Sequence, residues 1–212
     1  MSLLRSSIVP ETEHRLEGQG IYLRYPTMND FKAWSELRTE SRRFLKPWEP
    51  LWPKDDLTKA GFRRRLRRYA RDRRDGKCHP FLLFQAGTDD LLGGLTLSNV
   101  RRGVSQSVTL GYWMGADKAG KGFMSSAVSL VQPFCFDVLG LHRIEAACLP
   151  HNGPSLRLLE KAGFTREGYA RNYLLINGYW QDHLLLACLA EDYAAKIKPG
   201  PASVGGTLKE FL

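Results

Sequence analysis

The chain has 212 residues, of which 43% are hydrophobic and 25% are charged, and it carries a formal net charge of +9 at pH 7. These values are ordinary for a soluble globular protein, and no apolar run approaches the ~18 residues that a membrane-spanning helix needs. The first fifteen residues lack the basic and then apolar pattern of a signal peptide, so we expect a cytoplasmic protein with no membrane partner.

Cysteine spacing and composition predict a single domain without disulfide bonds or a structural metal site. Four cysteines are widely spaced, with no C-x-x-C pair, at Cys78, Cys135, Cys148 and Cys188. We expect them to be small buried hydrophobic side chains, with neither a disulfide framework nor a bound metal. Because repeats and internal Gly-, Pro- or Ser-rich linkers are absent, we expect an N-terminal extension over residues 1–19, one domain over residues 20–195 and a flexible C-terminal tail over residues 196–212.

Hydrophobic periodicity, helix caps and turn residues predict seven strands and four helices. The predicted strands cover residues 21–25, 80–86, 91–98, 108–114, 142–149, 165–176 and 180–189. The predicted helices cover residues 30–44, 58–77, 122–139 and 152–162. Short turn sequences at residues 87–90 and 177–178 favour antiparallel hairpins.

The second predicted helix concentrates the positive charge. Residues 58–77 contain ten Lys or Arg against two Asp, a net charge of +8. Apolar or small side chains recur there at helical spacing, at Phe62, Leu66, Tyr69 and Ala70. This spacing predicts one apolar face and an arginine-rich outer face, which is either a solvated surface or a contact for RNA or the ribosome. The apolar stripe is narrow and lacks Trp, which argues against a membrane surface.

A glycine-punctuated turn follows the strand predicted over residues 108–114. Gly120 and Gly122 carry no Cβ, so successive amide N–H groups can approach an anion there, and the next helix adds the positive end of its dipole. Residues 115–122 match a nucleoside-triphosphate P-loop except at the last position, where Gly122 cannot supply the hydroxyl that binds Mg²⁺. The preceding strand is predicted to be antiparallel, whereas P-loops follow parallel strands, so we favour another phosphate ligand.

The segment from Ala119 to Met124, Ala-Gly-Lys-Gly-Phe-Met, resembles the acyl-CoA pyrophosphate loop of the GNAT acetyltransferases, Q/R-x-x-G-x-G/A. The second half of that family's pattern follows in order, as residues 149–155 and 159–164. Ala119 stands where the family usually has Gln or Arg. We expect this departure to weaken CoA binding without abolishing it, because backbone amides supply most of the contacts.

The resemblance narrows to the branch of ribosomal-protein-alanine N-acetyltransferases of RimJ type, in which Met124 is itself tolerated. It is carried by residues 44–50, 97–100, 110–112, 120–122, 150–152, 167–170 and 173–176, and by Gly178, Trp180, Asp182 and His183. The match covers most of residues 20–190. It implies an α/β (α+β) GNAT fold, with a mixed, mostly antiparallel central sheet of about seven strands flanked by four helices.

The same resemblance implies that acetyl-CoA is the cosubstrate and that no metal takes part. The expected acceptor is the N-terminal α-amine of a protein, here a ribosomal protein that starts with Ala or Ser, and it attacks the thioester directly in a ternary complex. A terminal amine has a pKa near ~8, so it needs little help from a base. The residues expected to bind acetyl-CoA are Met114, Ala119, Gly120, Lys121, Gly122, Phe123, Met124, Asn152 and Ser155.

Three side chains are candidates for the chemistry: Ser155, Tyr173 and Glu49. A backbone N–H near Met114 is expected to stabilise the oxyanion, while Ser155 protonates or hydrogen-bonds the CoA thiolate, with Tyr173 as the alternative acid. Glu49, in a rigid aromatic loop, is expected to hold or deprotonate the incoming amine. Structural roles stay open for each: helix capping for Ser155 and Asn152, packing for Tyr173 and a surface salt bridge for Glu49.

Two further side chains, Glu145 and His183, and two other functions are compatible with parts of the sequence. Glu145 alternates along its predicted strand, and a buried carboxylate there would be costly unless it were functional. His183 follows Asp182, but a hydrolase G-x-S-x-G elbow is absent, so a structural histidine is expected. An acetyltransferase for a small amine, which a strongly acidic cleft would favour, and a non-enzymatic RNA or ribosome-assembly protein both stay open, as does the oligomeric state.

Overall fold

The computed structural model describes residues 15–197, and most of the expected N-terminal extension and C-terminal tail lies outside this range. The strands are β1 Leu16–Gly18, β2 Ile21–Arg24, β3 His79–Gln85, β4 Leu91–Arg101, β5 Ser107–Met114, β6 Arg143–Cys148, β7 Thr165–Ile176 and β8 Tyr179–Leu189. The helices are α1 Phe31–Glu40, α2 Arg42–Leu45, α3 Lys59–Arg74, α4 Phe123–Pro133, α5 Gly153–Lys161 and α6 Ala190–Ile197.

All eight of these strands form one sheet in the order β1-β2-β3-β4-β5-β6-β8-β7. Every neighbouring pair is antiparallel except β5 and β6, which are parallel because α4 carries the chain back across the sheet between them. The fold is therefore the mixed, mostly antiparallel α/β arrangement that the sequence predicted.

The counts differ from the prediction by one strand and two helices. β1 has three residues, Leu16–Gly18, which is too short for a period; pairing with β2 makes it a strand, so the sheet starts four residues before the expected boundary at residue 20. The helix predicted over residues 30–44 is interrupted at Ser41, whose buried hydroxyl accepts a hydrogen bond from the Ala116 N–H at 2.9 Å. α6 follows β8 with no intervening loop, so no turn residue announces it.

Hydrophobic side chains cover the two faces of the sheet separately. The larger core cluster includes Val128 of α4 and Leu156 of α5, packed with Val108 and Leu110 of β5. The smaller cluster lies on the opposite face and joins side chains of α1 and α3, among them Trp34 and Phe62, to β2, β3 and β4, with Trp113 of β5 packed against it. Alternation along β5 thus presents one set of side chains to α4 and α5 and the other to α1 and α3.

All four cysteines are buried free thiols, as expected. Among residues 15–197, no helix is long and apolar enough to cross a membrane. The same residues contain no cluster of three or more His, Cys, Asp or Glu side chains that could hold a metal ion.

Candidate acetyl-transfer site

The sheet opens between its two parallel neighbours. β5 and β6 pair only at Ser107–Thr109 with Arg143–Glu145. Beyond Thr109 each strand continues on its outer side only, β5 with β4 as far as Met114 and β6 with β8 as far as Cys148. The backbone of the second half of β5 therefore borders a gap in the sheet.

The N–H of Met114 points into this gap. The next residue, Gly115, donates its N–H to the Leu92 carbonyl at 2.9 Å, on the β4 side. Successive residues of a strand direct their amides to opposite sides, so the Met114 amide faces away from β4. This is the backbone donor that the sequence analysis singled out for an oxyanion.

The glycine turn between β5 and α4 has the predicted backbone. Gly120 and Gly122 have φ values of +76° and +86°, which disfavour any residue with a Cβ, and Gly122 is the N-cap of α4. The first N–H groups of a helix have no intrahelical acceptor, so the turn presents unpaired donors together with the helix dipole. A Cβ built on either glycine would meet no atom within 4 Å, so there is open space beside these amides.

The side chains of this turn differ in exposure. Lys121 is exposed and Phe123 is partly buried against the core, whereas Met124 is buried in it, so Met124 can offer only backbone to a ligand. The strand before the turn was predicted to be antiparallel, which argued against a P-loop. β5 is antiparallel to β4 but parallel to β6, so strand direction does not exclude a P-loop. The missing hydroxyl at Gly122 remains the argument against one.

Ser155 lies at the start of α5, and its side chain links this helix to β5. Its hydroxyl is 2.6 Å from the hydroxyl of Tyr112. The Asn152 side chain caps α5 by accepting the Ser155 backbone N–H at 3.2 Å, so the structural role considered for Asn152 is present. Burial raises the pKa of Tyr112 to about 12, and the phenol therefore keeps its proton at neutral pH.

Glu49 is held by three hydrogen bonds to its carboxylate. Arg38 forms a bidentate pair with it at 2.8 and 2.7 Å, and the Trp52 indole N–H donates to it at 2.7 Å. Arg38 and Glu49 are 7% and 18% exposed, so this is a mostly buried pair and not the surface salt bridge considered from sequence. The Arg38 guanidinium also lies 4.2 Å from the ring centre of Trp52 and 4.8 Å from that of Trp113.

The loop that carries Glu49 joins three parts of the site. The Glu49 carbonyl accepts the Asn177 N–H, at the tip of the β7–β8 hairpin, at 2.9 Å. The neighbouring Trp48 ring lies 5.5 Å from the His151 ring, just before α5. The loop between α2 and α3 is therefore fixed against α1, the hairpin and the start of α5.

Two adjoining clefts lie on the sheet face that α1 and α3 cover. The wide cleft, of about 850 Å³, is lined by residues that include Arg68, Tyr69, Arg101, Thr109, Glu145 and Tyr173. The narrow cleft, of about 350 Å³, is lined by residues that include Trp34, Arg38, Glu49, Trp52, Tyr112 and Trp113. Tyr69 and Thr96 line both, so the two clefts are continuous beside the point where β5 and β6 part.

The remaining candidates fall in or beside the wide cleft. Tyr173 is half-exposed and packs edge-on against His183, with ring centres 5.8 Å apart; no hydrogen bond or ring contact within residues 15–197 joins it to Ser155 or Glu49. Glu145 is neither deeply buried nor unpaired, because Arg101 and Arg143 bind it. His183 is buried and its Nδ1 is 2.9 Å from the Gln181 carbonyl, which agrees with the structural role expected of it.

Sequence reasoning missed Tyr112 and Arg38. Tyr112 alternates with apolar residues on β5 and so resembled a core residue; its partner is 43 positions away. Arg38 did leave a signal, because it follows Trp34 by four positions on the apolar face of α1, where a charged side chain needs a partner.

Comparison with known proteins agrees with this geometry. Residues 21–165 match the acetyltransferase (GNAT) domain. The chain is 38% identical over 177 residues to a Bacillus subtilis (strain 168) protein named Probable N-acetyltransferase YjcK, covering 84% of this chain and 98% of the relative. It is 36% identical over 168 residues to the ribosomal protein uS5-alanine N-acetyltransferase of Escherichia coli (strain K12), covering 78% of this chain and 87% of that one.

Solved structures give the same picture. Mycobacterium smegmatis RimJ in complex with CoA-disulfide superimposes with a TM-score of 0.76 at 32% identity, over 83% of this chain and 88% of that one. The ribosomal-protein-S5-alanine acetyltransferase of Vibrio fischeri gives a TM-score of 0.78 at 29% identity, over 84% of this chain and 98% of that one.

The chain therefore belongs to the GNAT acetyltransferases, a family that uses acetyl-CoA. Within that family it is related to the ribosomal-protein N-acetyltransferases of RimJ type.

Proposed function

We propose that this acetyltransferase moves the acetyl group of acetyl-CoA to the N-terminal α-amine of a protein, a ribosomal protein that starts with Ala or Ser. The observation that carries the proposal is the gap between β5 and β6, which has the glycine turn at one end and an open cleft on the α3 face. The names of the relatives that align over most of the chain support a protein N-terminus as acceptor.

The donor is held mainly by backbone. The turn from Ala119 to Met124 binds the pyrophosphate of CoA through its amides and the α4 dipole, with Lys121 free to reach a phosphate oxygen. The thioester then lies along the second half of β5, and the Met114 N–H stabilises the oxyanion, a contribution commonly worth ~3 kcal/mol. Asn152 orients the start of α5 beside the thioester.

The leaving thiolate is stabilised by Ser155. The 2.6 Å contact allows either hydroxyl to donate. In the proposed mechanism Tyr112 donates to the Ser155 oxygen, which leaves the Ser155 proton free to point at the sulfur. Because the raised pKa of Tyr112 keeps the phenol protonated, this arrangement persists across the pH range of an assay. Tyr173 contributes on the acceptor side, where it lines the wide cleft.

The acceptor enters from the α3 face. A neutral α-amine needs no strong base, and Glu49 already accepts three hydrogen bonds, so we assign it to holding the loop that shapes the narrow cleft. The carboxylates that line the two clefts are matched by arginines: Glu49 by Arg38, Asp56 by Arg65, Asp72 by Arg71, and Glu145 by Arg101 and Arg143. The clefts are therefore not strongly acidic, which argues against a polycationic small amine as the substrate.

The test is acetyl transfer from acetyl-CoA to ribosomal-protein N-terminal peptides, read by free thiol release and by mass spectrometry of the product. We expect the highest kcat/KM on peptides that start with Ala or Ser, and no product from the same peptides when their N-terminus is already acetylated. Turnover with spermidine or other small amines but not with peptides would overturn the proposal.

A further inference from the structure

The solvent side of α3 is a continuous arginine surface. Its members are all exposed, and we call them the outer face of α3: Arg63, Arg64, Arg67, Arg68, Arg71 and Arg74. At 1.5 Å per residue they extend over roughly 16 Å of helix. The opposite side of α3 carries Phe62, which is 1% exposed, so packing of that side fixes the outer face toward solvent.

Within residues 15–197, two of these six charges are paired with a carboxylate and a third lies over an aromatic ring. Arg64 pairs with Asp55, Arg71 lies 3.4 Å from Asp72, and Arg68 stacks on Tyr69. Arg63, Arg67 and Arg74 have no acidic partner among residues 15–197.

Helix stability does not account for this pattern. Basic residues in the last turn, such as Arg74, do interact favourably with the helix dipole, but Arg63 and Arg67 lie outside the last turn and gain nothing from it. Arg63 and Arg67, and Arg67 and Arg71, are also like-charge pairs at i, i+4, which destabilise a helix. Helix stability therefore does not explain the arrangement, whereas an anionic partner would offset its self-repulsion.

The chemistry of the surface selects the partner. A helix that binds membranes inserts an apolar face, whereas the apolar side of α3, with Phe62 and Leu66, is turned to the protein core. Protein interfaces are centred on aromatic or apolar anchors, and the outer face has none. Guanidinium groups bind phosphate oxygens in bidentate fashion, and a row of them matches a polyphosphate backbone.

The outer face also borders the acceptor cleft. Arg68, Tyr69 and Asp72 belong to the same helix and line the wide cleft. A nucleic acid on the outer face would therefore lie at the mouth of the cleft, close to any protein bound to that nucleic acid.

We propose that the outer face of α3 binds the phosphate backbone of RNA, so that the acceptor N-terminus is presented to the cleft by a protein already assembled on RNA. The second half of this statement rests on the proposed function; the RNA contact itself does not.

The experiment measures binding of the full chain to an RNA duplex of about 20 base pairs between 50 and 300 mM salt. Two triple variants lose the same charge: Arg63→Gln/Arg67→Gln/Arg74→Gln on the outer face and, as control, Arg102→Gln/Arg171→Gln/Lys196→Gln elsewhere. We expect the outer-face variant to lose at least about tenfold in affinity for the RNA. The slope of log K against log salt, which is negative, should become less steep by about 2 to 3, with little change for the control.

Further arms separate the alternatives. A DNA duplex of the same sequence bound as well as RNA supports a backbone contact, whereas binding to DNA alone overturns the proposal. Tighter binding to anionic phosphatidylserine vesicles or to polyglutamate than to RNA also overturns it, as do absent RNA binding at 50 mM salt and equal losses in the two variants.

Failure of the proposed function is read separately. The outer-face variant should acetylate a free N-terminal peptide with unchanged kcat and KM, because none of its three arginines lines a cleft. If the wild type binds RNA but does not acetylate these peptides, the proposed function is wrong and the RNA contact is still supported.

Discussion

At the scale of single residues, the proposed chemistry depends on a pair of hydroxyl groups. Tyr112 on β5 and Ser155 on α5 meet at 2.6 Å across the gap in the sheet. Only one of the two can donate to the other, so the second hydroxyl proton is available to a ligand. The partner of Ser155 thus determines whether it can act on the leaving group.

We expect Ser155→Ala to lower kcat by about tenfold to a hundredfold while the affinity for acetyl-CoA stays within about twofold, because the lost hydrogen bond forms to the developing thiolate. Tyr112→Phe should give a smaller loss in kcat, since it only frees the orientation of Ser155. Single-turnover kinetics and acetyl-CoA binding by calorimetry measure both quantities. Ser129→Ala, on the exposed side of α4, is the control, and a wild-type kcat in Ser155→Ala would exclude the acid role.

At the scale of elements, the loop between α2 and α3 depends on Glu49. Its carboxylate is bound to α1 through Arg38, and its carbonyl is bound to the β7–β8 hairpin through Asn177. Removing one partner of a buried ion pair leaves an uncompensated charge and commonly costs about 3–5 kcal/mol. The pair is therefore suited to fixing the position of the loop.

We expect Glu49→Gln to raise KM for the peptide severalfold, with little change in kcat or in KM for acetyl-CoA, because the loop shapes the acceptor cleft and not the donor site. The pH dependence of kcat should stay that of the wild type, since a positioning residue does not transfer the proton. Glu36→Gln is the matched control, because it makes the same substitution at an exposed position of α1. A fall in kcat together with loss of the acidic limb of the pH profile would instead identify Glu49 as the base.

At the scale of the whole molecule, the core contains weak acids that folding keeps protonated. Burial raises the pKa of the Cys78 and Cys188 thiols to about 11, from an ordinary value of 9.0. In the unfolded chain these thiols ionise at lower pH than in the folded one, so their contribution to stability is complete below pH 9 and is lost as the pH rises toward 11.

We therefore expect the free energy of unfolding to fall between pH 9 and pH 11, by about 1 kcal/mol per pH unit for each of these thiols. Urea unfolding followed by circular dichroism at pH 8, 9, 10 and 11 measures the slope. The variant Cys78→Ala/Cys188→Ala should be less stable at pH 8 because of the cavities, but its loss of stability toward pH 11 should be shallower. An unchanged slope in this variant would show that other groups control alkaline unfolding.

Local interactions made much of this molecule predictable. Gly120 and Gly122 were predicted from the backbone freedom that only glycine has, and Asn152 was predicted as a helix cap from its side chain alone. The same is true of the long strands and of the basic outer face of α3, since period and charge are properties of consecutive residues.

Tertiary structure decided the rest, because it depends on residues far apart in the chain. The sequence alone determined most of the segments that become strands and helices, where the glycine turn lies and that residues 58–77 are strongly basic. Only the folded sheet decided that β5 lies parallel to β6 and parts from it after Thr109, which opens the gap. It also brought Tyr112 to Ser155 and Arg38 to Glu49, pairs whose geometry no local pattern encodes, since each depends on how separate elements pack.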